Sequence, residues 1–375
     1  MSERPNPFAA LTLEQLRERH SAKWRHYPGD VLPLWVAEMD APLAEPIADA
    51  LTALVRSGDA GYPGDVPYRE AFAAYCADAW GWDPSVARTR AVASVISGYT
   101  DALVEAVGAG GTVVVTSPVY PPFYSYLAQA GLNVVEVPLT NELRLDLDGL
   151  DAAFESAQAF LLCNPHNPGG TVHSREELGA VATLAERHGV QVVSDEVHAP
   201  LVYQGERFIP YLEVDSRGIA VHAASKGWSL AAIPAALMTF GPDAGAALAR
   251  YDAGKHHGPT YWGTVAQTVA YSRCRDWLAD AVAALDSNRH LLGRLLSDRL
   301  PGVRYHLPAA TYLTWVDCRE LGLGDDPAKV FLNRGRVAFN PGHTFGTGGA
   351  GHVRINIATS PAILDEAVAR MAASL

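Results

Sequence analysis

Cysteine is scarce: Cys76, Cys163, Cys274 and Cys318 stand far apart, with no C-x-x-C pair among them. That spacing excludes the disulfide framework of small secreted domains and describes reduced, packed thiols. Long apolar runs are missing too. The longest, Leu230 to Met238, is interrupted by Pro234 and falls short of the roughly eighteen residues a membrane span needs. The N-terminus, Met1-Ser2-Glu3-Arg4-Pro5, lacks the apolar stretch of a secretory leader, so a cytoplasmic location is expected. Positive charge is in deficit: 29 Lys and Arg against 41 Asp and Glu leave a net −12. That is the wrong sign for a nucleic-acid partner, which is bound by neutralising phosphates. No repeat of about 20–50 residues and no low-complexity segment appears, which sets aside solenoids and linker-rich arrays.

What is present describes a globular enzyme-sized chain. With 49% hydrophobic and 19% charged residues over 375 positions, a sizeable core is expected, divided between two domains. Short apolar or β-branched runs occur at Ala91–Ile96, Thr112–Thr116, Asn133–Val137, Ala159–Cys163, Val190–Ser194, Ile219–Ala223 and Ala235–Phe240. Several are apolar on both faces, as strands covered by helices on each side should be. Helical periods separate most of them. One starts at the capping box Ser174-Arg175-Glu176-Glu177 and stops at Gly189. The alternation predicts an α/β domain with a largely parallel sheet. After about residue 275 the pattern changes to a long helix, Trp277 to Leu300, then two strands, Tyr312–Val316 and His352–Ile357, and helices at Pro327–Arg334 and Pro361–Ala373. We therefore expect a large domain over 46–275, and a smaller α+β domain built from 1–45 and 276–375.

Four stretches at strand ends or connections carry candidate chemistry. Cys163-Asn164-Pro165-His166-Asn167-Pro168-Gly169-Gly170 follows an apolar strand, and its Asn-Pro steps and Gly-Gly force a tight non-helical turn. Taken alone it is a strand-to-helix connection; its two rigidly held amides also suit a polar ligand group. Ser194-Asp195-Glu196-Val197-His198 ends another strand, so that Asp195 is either a solvated loop carboxylate or a site residue at the sheet edge. No Cys/His cluster with metal spacing accompanies His198, and we assign no metal site. Ser225-Lys226-Gly227-Trp228 sets a lysine at the end of an apolar strand. Lysines mostly sit exposed, whereas one in an apolar setting has a lowered pKa and can form Schiff bases. His352-Val353-Arg354-Ile355-Asn356 places an arginine inside a strand, suited either to a surface ion pair or to a bidentate grip on a carboxylate. The Gly346–Gly351 loop lacks the G-K-[ST] ending of a phosphate loop.

The order Asn-Pro-Gly, Asp, Ser-Lys and a distant Arg resembles the aminotransferase-like fold-type I family of pyridoxal-phosphate enzymes, over nearly the whole chain. Within it the chain is most similar to the cystathionine β-lyase and C–S lyase branch. The finer likeness rests on Lys23-Trp24, Trp35-Val36-Ala37-Glu38-Met39-Asp40, Gly61-Tyr62, Pro118–Phe123, Asn164–Gly170 with His166, and Asp195–His198. The resemblance implies a large domain with a mostly parallel seven-stranded sheet. It also implies pyridoxal 5′-phosphate held by Lys226 as an imine, with Lys226 then the base for the substrate Cα proton. By the same resemblance Asp195 pairs with the ring nitrogen, Asn167 and His198 meet the ring 3-oxygen, and Tyr120 stacks on the ring. Phosphate binding falls to Ser97, Gly98 and Tyr99, assisted by Ser225. Tyr62 reaches the phosphate of the neighbouring subunit, which implies a homodimer with a shared active site. Arg354, beside Asn167, fixes the substrate carboxylate; Tyr120 and Tyr62 join Lys226 as catalytic candidates.

Departures from the branch pattern occur at Glu38, usually Asp, and after Lys226, where Gly-Trp-Ser-Leu-Ala-Ala-Ile replaces Thr-Phe-Asn-Leu-Ala-Gly-Leu. Pro234 stands near where many aminotransferases carry a phosphate-binding arginine. The expected activity is α,β-elimination from L-cystathionine or a related cysteine S-conjugate. Transamination of an L-amino acid is the alternative, distinguished by its need for a keto acid. A ligand-binding protein without chemistry ranks last, because Lys226, Asp195, Asn167 and Arg354 are all present.

Overall fold

The computed structural model describes residues 4–64, 66–254 and 256–375; Met1, Ser2 and Glu3, the start of the N-terminal stretch read above, lie outside them. The chain opens with short helical turns and strand β1 (Leu32–Pro33). Seven strands then form one sheet: β2 (Thr89–Val92), β3 (Thr112–Ser117), β4 (Asn133–Pro138), β5 (Ala159–Cys163), β6 (Gln191–Asp195), β7 (Ile219–His222) and β8 (Ala236–Phe240). Their order is β2-β8-β7-β6-β5-β3-β4, and β8 alone runs against its neighbours. Successive side chains serve opposite faces. Val113 and Val115 of β3 pack with Tyr99, Leu103 and Phe123, while Val114 packs with Leu150, Phe154 and Val181. Both faces are covered, which is why these strands read as unbroken apolar runs.

A second sheet follows from β9 (Arg304–Tyr305), β10 (Leu313–Asp317), β12 (Asn340–Pro341) and β13 (His352–Asn356), in the antiparallel order β12-β13-β10-β9. Between them β11 (Val337–Ala338) pairs in parallel with β1 and ties the N-terminal segment to the C-terminal part. The long helix spans Arg275–Arg299, and its Leu285, Leu292 and Leu296 share a core with Leu364, Val368 and Met371 of the helix Pro361–Ala373.

One element differs from its expected extent. The run Ala91–Ile96 is strand only as far as Val92, and Val95 starts a helix that runs to Val107. Ser94 caps it: the Ser94 hydroxyl accepts the Ser97 N–H at 3.1 Å, and the Ser97 hydroxyl accepts the Ser94 N–H at 2.8 Å. Val95 and Ile96 look like strand residues, but the cap decides. Since β2, β3, β5, β6 and β7 point the same way, their carboxyl ends share one edge, where α/β sheets gather ligand-binding connections.

Candidate active site

The turn after β5 is built around Gly170. Its φ is +67°, and a Cβ there would collide with Pro308 Cβ and lie 2.9 Å from the Ala310 carbonyl oxygen, so only glycine fits. The His166 N–H donates to Thr171 O (2.9 Å) and the Gly170 N–H to His166 O (2.8 Å), closing the loop that presents Asn167. At the end of β6, Asp195 lines the cleft and its Oδ1 accepts the Val197 N–H at 3.1 Å. After β7, the Trp228 N–H bonds to Ala224 O and the Leu230 N–H to Ser225 O, a compact turn with Lys226 at its tip.

These turns and the cap of the helix Val95–Val107 surround one cleft, of about 760 Å³ with its open solvent included. Asn167, Asp195, His198, Ser225, Lys226 and Tyr120 all line it, together with Ser94, Val95, Ile96 and Ala37. Lys226 keeps part of its surface open to the cleft while its amine is enclosed, donating to Ala37 O at 3.4 Å. Burial and the nearby Arg354 pull that amine down to about 8, against the opposing pull of Asp195 and Glu38. Burial also pushes the Asp195 carboxyl up to about 7, partly offset by the Val197 N–H and by Lys226. His198, buried and 3.0 Å from Thr311 Oγ1 through Nδ1, is held well below its usual range and is neutral. Burial raises the Tyr120 hydroxyl to about 12 despite Arg354.

Arg354 stands on β13, 2% exposed, at the junction of the two sheets. It donates to Asn167 Oδ1 (3.1 Å) and Trp35 O (3.0 Å), and its buried Nε has no partner among the described residues. The Trp35–Asp40 segment crosses the cleft as a strap with no regular structure. Asn356 Nδ2 donates to Val36 O and Glu38 O, both at 2.7 Å, and Tyr312 donates to Ala37 O. Its far end is pinned by a buried ion pair, Lys23 Nζ to Asp40 Oδ2 at 2.8 Å, with Trp24 Nε1 on the other carboxylate oxygen. Lys23-Trp24 and Asp40, 17 and 16 residues apart in the chain, thus act on one another in the fold.

Three expected contacts fall elsewhere. Ser97, Gly98 and Tyr99 do not present free N–H groups to the cleft: Ser97 N–H goes to Ser94 Oγ and Gly98 N–H to Ser94 O. Gly98 is small because the helix lies tight on the sheet, where a Cβ would meet Val221 and Val92 methyls at 3.0 and 3.1 Å. Tyr99 is a core residue. The first turn, Ser94-Val95-Ile96, takes their place in the cleft wall, and the capping pattern S-x-x-S was the signal for it. Tyr62 is fully exposed and reaches nothing in its own cleft.

The raised Asp195 carboxyl makes a prediction. A carboxyl whose folded pKa lies above its unfolded value costs stability once pH rises past the unfolded value, and the full cost is reached above the folded one. Cofactor-free Asp195→Asn should therefore be more stable than the parent at pH 8, by at most about 4 kcal/mol, with the gain fading towards pH 4. Melting curves at the two pH values check it, and a gain of equal size at both would contradict it.

The match to aminotransferase class I and II runs over residues 32–371, and the chain belongs to that family. A Mycobacterium tuberculosis (strain ATCC 25618 / H37Rv) protein named "Putative cystathionine beta-lyase" is 47% identical, over 99% of this chain and 98% of its own. "Cystathionine beta-lyase PatB" of Bacillus subtilis (strain 168) is 33% identical over 92% of this chain and 93% of its own. A solved structure from Corynebacterium diphtheriae, a "putative plp-dependent beta-cystathionase", superposes with a TM-score of 0.90 at 32% identity, covering 96% of this chain and 97% of that one.

Proposed function

We propose that this protein is a pyridoxal-phosphate-dependent carbon–sulfur β-lyase that cleaves L-cystathionine, or a related cysteine S-conjugate, to a thiol, pyruvate and ammonia. The observation that carries the reading is the enclosed Lys226 amine, set in one cleft with Asp195 and coupled to the buried Arg354. The residues fit the cofactor. Lys226 would bind it covalently, Asp195 would face the ring nitrogen, and Asn167 and His198 the ring oxygen, with Tyr120 against the ring. Its phosphate suits the start of the 13-residue helix at Val95, where unpaired N–H groups and the helix dipole favour an anion, with Ser94 and Ser225 at hand.

When bound, pyridoxal phosphate supplies the electron sink for charge left at the substrate Cα. Arg354, whose Nε is unpartnered, takes the substrate α-carboxylate. The Lys226 amine, with its proton affinity lowered, removes the Cα proton. The Cβ–S bond then breaks with its electron pair leaving on sulfur, which takes up a proton to become the thiol. Addition of water releases ammonia and pyruvate. Thiol release from L-cystathionine that continues without any keto acid tests this reading; a strict keto-acid requirement would favour transamination instead.

The active unit in this reading is a cytoplasmic homodimer, with 46–275 as the large domain and 1–45 with 276–375 as the small one. Tyr62 is fully exposed on a loop whose neighbour Asp59 is anchored by Tyr261 and Trp262 (both 2.9 Å), and in this reading its hydroxyl would meet a second subunit. Tyr62→Phe should leave the melting temperature of the cofactor-free protein unchanged and speed cofactor loss about 10–150-fold on dilution, since a hydrogen bond to a charged group contributes about 1.5–3 kcal/mol. Unchanged retention, measured by visible absorbance after gel filtration, would remove Tyr62 from the site.

A further inference from the structure

Behind Asp195 the sheet buries a second carboxylate that no step above uses. Glu196 follows the end of β6 and His222 ends β7, each 1% exposed. Glu196 Oε1 accepts from the Tyr211 N–H (2.8 Å), Ser194 Oγ (3.0 Å) and Asn164 Nδ2 (3.3 Å), so it knits together the carboxyl ends of β5 and β6. His222 Nε2 lies 2.8 Å from Glu196 Oε2, bringing in β7. The ring is turned so that neither atom gains an aligned hydrogen bond. The imidazole is enclosed by Phe72, Trp80 and Trp82, with ring centroids 4.8, 5.9 and 5.6 Å away. The other titratable groups facing Glu196 are Asp195, Tyr211 and, from the helix Tyr68–Trp80, Cys76. None of these is a cation.

Two adjacent buried carboxylates cannot both ionise cheaply, because each anion raises the cost of the other. We propose that Glu196 and His222 are a positioning pair that together hold one proton and no net charge, leaving Asp195 as the single anion at the inner wall of the cleft. Burial supports this from both sides, pushing Glu196 up to about 8 and His222 down to about 3. The pair thereby protects the charge that faces the cofactor ring, and the inference rests on the cofactor reading above.

The test compares His222→Gln, Glu196→Gln and the double variant. The amide introduced by H222Q offers Glu196 a donor but no basic nitrogen, so Glu196 ionises at lower pH and adds a negative charge beside Asp195. In the cofactor-loaded protein, the pH midpoint of the visible absorbance should then move up by about one unit in H222Q, the direction an added anion imposes. E196Q and the double variant, neutral at position 196, should stay at the parent value. An equal shift in E196Q, or none in cofactor-bound H222Q, overturns the proposal. Should H222Q fail to fold, a double variant that folds with the parent midpoint supports it; one that stays unfolded while E196Q folds contradicts it. Melting of cofactor-free protein decides independently: relative to E196Q the parent should go on losing stability as pH rises to about 8, whereas H222Q, whose Glu196 ionises at lower pH, should stop losing it earlier, and the same pH dependence in the parent and H222Q overturns the pair. A parent protein that takes up no pyridoxal phosphate is a separate failure, of the cofactor reading.

Discussion

Lys226→Ala is expected to lower β-elimination by about 10²–10⁴-fold, the range a positioned general base contributes. The loss should fall on kcat, because in the proposed reading Arg354 would still hold the amino acid. Removing the amine also removes the covalent hold on the cofactor, so the visible band should shift and the cofactor should wash out more readily. Lys226→Arg separates the two roles, keeping a cation near Asp195 while withholding a usable base. A variant of either kind with parental turnover would remove Lys226 from the chemistry.

Arg354→Lys should have the next largest effect, and a different signature. Its guanidinium already sits between Asn167 Oδ1 and Trp35 O, with Nε unpartnered and the Phe345 ring 5.1 Å beneath it. A lysine keeps the charge but not the planar fork, so the bidentate grip on a carboxylate is lost. One charge-assisted hydrogen bond contributes about 1.5–3 kcal/mol, which corresponds to a rise in KM of about 10–150-fold. If, as proposed, Arg354 meets the carboxylate rather than the reacting bonds, kcat should fall less. A kcat-only defect with parental KM would contradict that assignment.

The parts of this fold most visible in the chain are those whose burial is continuous. β3, β5 and β7 read as apolar runs because helices cover them on both sides, and the helix Arg175–His188 announces itself through Ser174 and Gly189. Val95 and Ile96 misled because β-branched residues at a helix start carry no periodicity of their own; only Ser94 and Ser97 mark the turn. Trp35–Asp40 was legible only as a family likeness and not as a strap, since its hydrogen bonds go to Lys23, Lys226, Tyr312, Arg354 and Asn356, most of them hundreds of residues away. His222 reads as one polar interruption in a strand. Its contact with Glu196 exists only because β6 and β7 are neighbours.

Lys226, Asp195, Asn167 and Arg354 were each ambiguous alone, and their order along the chain pointed to one family. The geometry adds a reason for that order. Three of them end or follow adjacent parallel strands, and the fourth arrives from the small sheet to meet Asn167.

The central claim is carbon–sulfur bond cleavage with no acceptor. Its most direct test is the yield of pyruvate and thiol from purified, cofactor-loaded protein and L-cystathionine alone, followed through many turnovers. The account predicts equal amounts of both, each far exceeding the number of subunits. Pyruvate that stops at or below one per subunit, or that appears only after a keto acid is added, would contradict it.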